Sequence, residues 1–283
     1  MSSDIIIETA RGRFALNVER DAKMAQHLSS DTYPHERLLA FVRAYAPGGT
    51  MIDVGAHIGT VAVPSARIAK RVIAFEANPE TFTFLERNVK SNDVTIDARN
   101  KGLSDARGHA SVVKISAHNA GAHSLAPGGD IEVSTLDCEA ESADFVKIDV
   151  EGMELSVLRG GEKLIARSRP VIFFEVNLTQ LRAHGARVRD IETWLRTRGY
   201  ILYMPLTFGG KYFLGKVVSL RLLTALITPK SWIFGGSCAP FDVVAIHTSK
   251  EIKFPTHPAF NVVLELLFLH LIQKMRRVVS FHI

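Results

Sequence analysis

The chain has 283 residues, 47% hydrophobic and 22% charged, with 34 Lys and Arg against 29 Asp and Glu for a net charge of +5. That allows one large domain or two small ones, supplies ample apolar material for a core and leaves no room for extended disorder. The basic excess forms no concentrated stripe with interleaved aromatics, so nucleic-acid binding is not expected. The two cysteines, Cys138 and Cys238, sit in no metal-ligand spacing and read as reduced thiols.

In chain order, Ile5-Ile6-Ile7-Glu8 and Arg13 to Val18 flank Ala10-Arg11-Gly12 and predict a hairpin. Residues 20–46 read as helical with a break near Tyr33-Pro34, and Pro47-Gly48-Gly49 turns into the first core strand. Strand 51–54, a helix near 60–69, strand 72–75 and a helix near 79–90 follow, with Asn78-Pro79 as cap and first turn. Strands are expected near 94–97 and 110–114, then a polar loop through Asn119, His123 and Ser124, strand 145–150 and a helix near 153–166. Strand 171–175, a helix near 188–197, strand 200–203 and a last edge strand at 241–247 complete the core. Strands alternating with helices predict an α/β fold with a doubly wound, mainly parallel sheet.

The expected division is a hairpin and helical lead-in over 1–49, a core domain over 50–249 with an apolar insertion at about 204–240, and a helical tail over 250–283. Phe260, Val263, Leu264, Leu267, Phe268 and Leu271 line one face of a C-terminal helix, followed by Lys274, Arg276 and Arg277. Packing on its own domain or on a second copy is the plainer reading of that face. Contact with an anionic membrane surface is the other, against which Glu265 and His270 interrupt the run. The polar start Met1-Ser2-Ser3-Asp4 does not read as a secretion signal, and no apolar run is long enough to span a bilayer. A cytoplasmic protein is expected, peripheral to the inner membrane face if the tail touches lipid.

The most informative stretch is Met51-Ile52-Asp53-Val54-Gly55-Ala56-His57-Ile58-Gly59-Thr60, answered by Val72-Ile73-Ala74-Phe75-Glu76. Gly55 and Gly59 let the backbone turn sharply and approach a ligand, and the helix that follows opens with unpaired N–H groups. A dinucleotide site wants a third glycine; its absence counts against a nicotinamide oxidoreductase. An acid before the first glycine and another after the second strand suit S-adenosylmethionine instead. Asp53 would face its cationic methionine end and Glu76 its ribose hydroxyls. The plain alternative is a strand–turn–helix with no ligand. Asp53, Glu76, Asp149 and Glu175 all fall at predicted carboxyl ends of strands, where ligands bind in such sheets.

These residues resemble the FkbM family of S-adenosylmethionine-dependent methyltransferases. The likeness runs from about residue 50 to 177, through Asp53 to Gly59, Ala74 to Pro79, Gly102-Leu103-Ser104-Asp105, Ser134 to Asp137, Lys147 to Glu154, Leu158 to Gly161 and Pro170 to Glu175. His57 stands where the family usually has Asn, and Ala77 where it usually has Pro. The resemblance implies a Rossmann-like class I methyltransferase fold and methyl transfer, usually to an oxygen of a sugar or polyketide-like natural product. It implies cofactor contacts from Asp53, Gly55, His57, Gly59, Glu76, Ser104, Asp105 and Asp149, and an acceptor pocket near Asn119, Ser124 and Glu175.

A hydroxyl acceptor loses a proton, so a base is expected among Asp149, Glu151 and His123. Each has a structural alternative: Glu151 could cap a helix start, Glu175 could bind a backbone amide, and a loop histidine is commonly just exposed. A divalent ion on these acids stays a lesser alternative, as does N-methylation. A binding module that holds the cofactor without transfer, and docks on a membrane or glycan-assembly partner, is the competing reading.

Overall fold

The computed structural model describes residues 3–30, 32–114, 123–208, 210–217, 219–220 and 240–257. The expected C-terminal helix over 259–283 and most of the apolar insertion lie outside the described residues. Strands β1 (Asp4–Thr9) and β2 (Gly12–Asn17) form the expected hairpin, a separate two-stranded sheet. Phe14 and Leu16 of β2 are fully buried against Ala25 and Leu28 of α1 (Ala22–Leu28) and against Ile58 and Val63. Helix α2 (Glu36–Tyr45) follows the predicted break.

The core comprises β3 (Thr50–Val54), α3 (Ala62–Ser65), β4 (Arg71–Phe75), α4 (Pro79–Ser91), β5 (Asp97–Arg99), β6 (Gly102–Leu103), β7 (Gly108–Lys114), β8 (His123–Pro127), β9 (Ile131–Ser134) and α5 (Leu136–Glu139). It continues with β10 (Phe145–Ile148), α6 (Glu154–Gly160), α7 (Glu162–Ser168), β11 (Val171–Val176), α8 (Leu178–Ala183) and α9 (Val188–Arg196). Strands β12 (Tyr200–Phe208), β13 (Lys211–Lys216), β14 (Phe241–His247) and β15 (Thr256–His257) end the described chain. Asn88 of α4 ties the hairpin to this core: its amide accepts from Ala15 N at 2.7 Å and donates to the carbonyls of Ala15 and Ile58 at 3.0 and 2.9 Å.

Nine strands form the main sheet in the order β15-β13-β12-β14-β11-β10-β3-β4-β5. The run from β11 to β5 is parallel throughout. Strand order reverses at β3: β4 and β5 lie on one side of it, β10 and β11 on the other. A crevice opens at such a reversal, outside the carboxyl ends of the strands. The period-2 alternation of the strands sends Ile52, Val54, Val146, Ile148 and Phe174 to one face, under α6, α7 and α9. Met51, Val72, Phe145 and Phe173 face the other way, under α2 and α4. Helices on both faces make the expected doubly wound, Rossmann-like α/β architecture.

Several elements differ from expectation. Strand β14 is no edge: it sits antiparallel between β11 and β12, and its Phe241, Val243, Val244 and Ala245 are buried. Part of the expected insertion is strand, because β12 runs on to Phe208 and turns back as β13. The helix expected over 60–69 shrinks to α3. Pro64 lacks the N–H that would bond the Thr60 carbonyl; that carbonyl accepts the Tyr33 hydroxyl instead, at 2.5 Å. The helix expected over 153–166 divides into α6 and α7 at Gly160-Gly161. A Cβ on Gly160 would lie 1.9 Å from the Ser104 carbonyl oxygen, so only glycine allows that approach. Strands β6, β9, β7 and β8 form a second, four-stranded sheet.

Candidate active site at the strand reversal

The loop after β3 is built from left-handed residues: Gly55 at φ +78°, His57 at +53° and Gly59 at +90°. A Cβ on Gly55 would stand 1.9 Å from the Asp149 carbonyl oxygen, so this glycine lets the ends of β3 and β10 meet. The loop also grips Glu76 at the end of β4. The His57 N–H donates to one Glu76 carboxylate oxygen and the Asn78 N–H to the other, both at 2.9 Å. Burial raises the Glu76 carboxyl above its ordinary range, with His57 and these two N–H groups opposing.

A cavity of about 450 Å³ opens there. Gly55, His57, Glu76, Asp149, Glu151 and Glu175 all line it, as do Lys23, Met24 and His27 of α1, His35, Lys101 to Leu103, and Asn177 and Gln180. Its floor is electrostatic. The Lys147 ammonium reaches Asp53 at 3.1 Å, Asp149 at 3.6 Å and the Gly55 carbonyl at 2.6 Å. Burial works against that charge, but Asp53 and Asp149 outweigh it and hold Lys147 protonated above its ordinary range.

The acids that remain are short of cations. Burial and the Asp149 charge raise Glu151 to about 7. Burial, then Asp149 and Glu151, raise Glu175 to about 8. Burial raises Glu154 to about 7 although its carboxylate accepts from the N–H groups of Gly152 and Val150 at 3.1 and 3.3 Å. Four non-glycine residues have positive φ among the described residues, and two of them, His57 and Glu151, lie in this cavity. Strain of that kind gathers at functional sites. His35 lines the cavity; burial and then Lys147 lower its pKa to about 4, and its buried Nε2 has no hydrogen-bond partner among the described residues.

The family description "Methyltransferase FkbM domain" matches residues 53–202, more than half of the chain. This protein belongs to the FkbM methyltransferase family. A hexuronic acid methyltransferase of Haloferax volcanii, AglP, is 35% identical over 115 residues, 38% of this chain and 48% of the relative. A tRNA (guanine(37)-N(1))-methyltransferase of Danio rerio is 40% identical over 60 residues, 21% of this chain and 12% of the relative. The chain thus spans about half the length of the first and far less of the second. Among solved structures, an FkbM methyltransferase of Methylobacillus flagellatus is 21% identical, with a TM-score of 0.34 over 46% of this chain and 33% of that one. An rRNA methylase of Streptococcus thermophilus is 13% identical, with a TM-score of 0.45 over 77% of this chain and 99% of that one.

Within this FkbM chain, Gly55, His57, Glu76, Asp149, Glu151 and Glu175 meet in one cavity. Asp53 is wholly buried beneath it, paired with Lys147. Gly59 packs behind the loop, where a Cβ would lie 2.8 Å from Leu85. Ser104 and Asp105 are not among the lining residues; the Ser104 hydroxyl donates to Asp105 at 3.2 Å. Asn119 lies outside the described residues. His123 and Ser124 begin β8, paired with Lys114 and Val113, and their side chains lie outside the described set. The His57 ring turns to Asp21, with Nε2 2.9 Å from the carboxylate. Sequence reasoning missed Asp21, the α1 residues and the role of Lys147. A lysine at the centre of Phe145-Val146-Lys147-Ile148 was a signal for a buried ion pair.

Proposed function

We propose that this protein is an S-adenosylmethionine-dependent methyltransferase that O-methylates a sugar hydroxyl. The observation that carries the reading is the Glu76 carboxylate, fixed by two backbone N–H groups beside a glycine turn that admits no Cβ. A carboxylate so oriented suits a ribose diol. The carboxyls of Asp149, which shares Lys147 with Asp53, and of Glu151 and Glu175 suit an ammonium and a sulfonium, so the donor set fits this cofactor. When bound, the cofactor supplies an electrophilic methyl carbon.

The chain's residues supply the rest. Glu76 would hold the ribose, and Asp149 and Glu151 the cationic end. The carboxyl groups of Glu151 and Asp149 stand ready to take the proton from an acceptor hydroxyl, Glu151 with a pKa near neutrality. Holding acceptor and donor in line supplies much of the rate. The relative named for a hexuronic acid supports a sugar as acceptor.

Calorimetric titration with S-adenosylhomocysteine tests the reading. Micromolar binding is expected, weakened about 10- to 100-fold in Glu76→Ala, since hydrogen bonds to a charged group contribute roughly 1.5–3 kcal/mol. A folded wild-type protein that binds no S-adenosylhomocysteine would overturn it. A labelled-methyl assay on glycosides then separates an enzyme from a binding module.

A further inference from the structure

A second cavity, of about 490 Å³, adjoins the first. His27, His35, Lys147, Asp149 and Glu175 line both, and so form a common wall. Its other walls come from Thr32 to Leu38, from Thr207 and Tyr212 of the β12–β13 hairpin, and from Asp242 of β14. Those segments lie outside residues 53–202, the part shared with the family, whereas Ile148 and Phe173, which also line this cavity, lie within it. Both cavities thus draw on the shared core, and segments outside it complete the second with Arg37, Thr207, Tyr212 and Asp242.

Among the described residues, each Lys and Arg lining the second cavity already holds a carboxylate. Arg37 bonds Asp242 at 2.5 Å, and Lys147 bonds Asp53 and Asp149. Glu36 is held by Arg11 and Arg43 at 2.6 and 3.1 Å. The Glu175 carboxyl has no hydrogen-bond or ion-pair partner among the described residues. On the same wall the buried Nε2 of His35 also has no hydrogen-bond partner among the described residues. Both are the open polar groups that a hydroxylated ligand would satisfy, and Thr207 and Tyr212 add hydroxyls opposite. Among the described residues an anion finds no free Lys or Arg there. The field already opposes one more negative charge, since Asp149, Glu151 and Asp242 all raise Glu175.

Resting on the methyl-transfer reading, we propose that this second cavity receives the acceptor and selects a sugar that carries no carboxylate, with its hydroxyls at His35 and Glu175. Arg37 is withheld from a sugar acid by Asp242. The pair is thus a specificity device: removing the Asp242 charge frees a guanidinium able to bind a carboxylate.

Saturation-transfer NMR on the full chain loaded with S-adenosylhomocysteine tests this, with methyl glucoside and methyl glucuronide as probes. Binding of S-adenosylhomocysteine is measured first, so loss of the cofactor reading is seen separately and the unchanged cofactor affinity of each variant reports folding. The glucoside is expected to bind and the glucuronide to bind about tenfold more weakly or not at all, because a like charge among carboxylates is repelled. Tyr212→Ala should weaken the glucoside, and Asp242→Asn should raise glucuronide binding. Equal or tighter glucuronide binding by the wild type overturns the proposal. So does failure of both glycosides to bind the loaded protein, or an Asp242→Asn variant with an unchanged preference.

Discussion

Asp21→Ala tests how the N-terminal lead-in is latched to the glycine loop. Asp21 precedes α1, its side chain is 3% exposed, and it lies 2.9 Å from the His57 Nε2, itself 13% exposed. No aligned hydrogen-bond donor reaches either Asp21 carboxylate oxygen among the described residues, so the ion pair is what holds it. Burial pulls the His57 pKa down, but Asp21 and then Glu76 carry it above the ordinary value. Removing Asp21 leaves a buried imidazole with two outcomes. Kept charged, it costs about 3–5 kcal/mol, the range for breaking a buried pair. Allowed to lose its proton, it costs roughly 1–3 kcal/mol for an unsatisfied polar group. The second is expected, because without Asp21 the burial of the ring favours its neutral form. The sign of the pH dependence follows from the raised pKa. The pair's stabilisation is fully present below the unfolded value of about 6.5 and is lost as pH rises through the folded value. Urea unfolding of wild type and Asp21→Ala at about pH 6 and about pH 9 should therefore show a gap of roughly 1–3 kcal/mol that narrows at the higher pH. The same variant should release S-adenosylhomocysteine faster, because the His57 N–H that holds Glu76 sits in the loosened loop. A gap that stays constant or widens with pH would refute the charged-pair argument.

Gly55→Ala should abolish S-adenosylhomocysteine binding in titration, since its Cβ would enter the Asp149 carbonyl and φ +78° is strained for any L side chain. Lys147→Met should lower stability by about 3–5 kcal/mol in urea, because Asp53 is left buried without its counter-ion. Affinity for the cationic S-adenosylmethionine should rise between about pH 6 and pH 9 as Glu151 and Glu175, held at about 7 and about 8, ionise. Uncharged-at-sulfur S-adenosylhomocysteine should gain less, and equal slopes for the two ligands in calorimetry would contradict the assignment. Without ligand those same raised carboxyls act oppositely on folding: their stability contribution is present below about pH 4.3, the unfolded value, and falls as pH rises through about 7 and 8.

The strands and their terminal acids were legible because each is a local pattern. A continuous apolar run with Asp53, Glu76 or Glu175 at its end states where its carboxyl end lies, and β3, β4 and β11 follow within a residue or so. Helices were less legible where backbone punctuation mattered. Pro64 and Gly160-Gly161 cut expected helices short, and in both cases a carbonyl from elsewhere explains the break: Thr60 takes a tyrosine hydroxyl, and Ser104 needs a neighbour without a Cβ.

Of the second cavity little beyond Asp149 and Glu175 was legible, for a different reason. Tyr33 to Leu38, Thr207, Tyr212 and Asp242 share no motif; they meet only because β14 inserts beside β11 and brings Asp242 to Arg37, 205 residues away in sequence. A strand read as the sheet's edge leaves no wall there, so misplacing β14 also conceals the cavity. Local patterns report residues that a strand end or turn positions by itself. Selectivity built from long-range pairs such as Arg37–Asp242 depends on which strand lies next to which. A change in strand order or hairpin length beyond residue 202 could therefore remake the acceptor pocket while leaving Gly55, Glu76 and Asp149 in place.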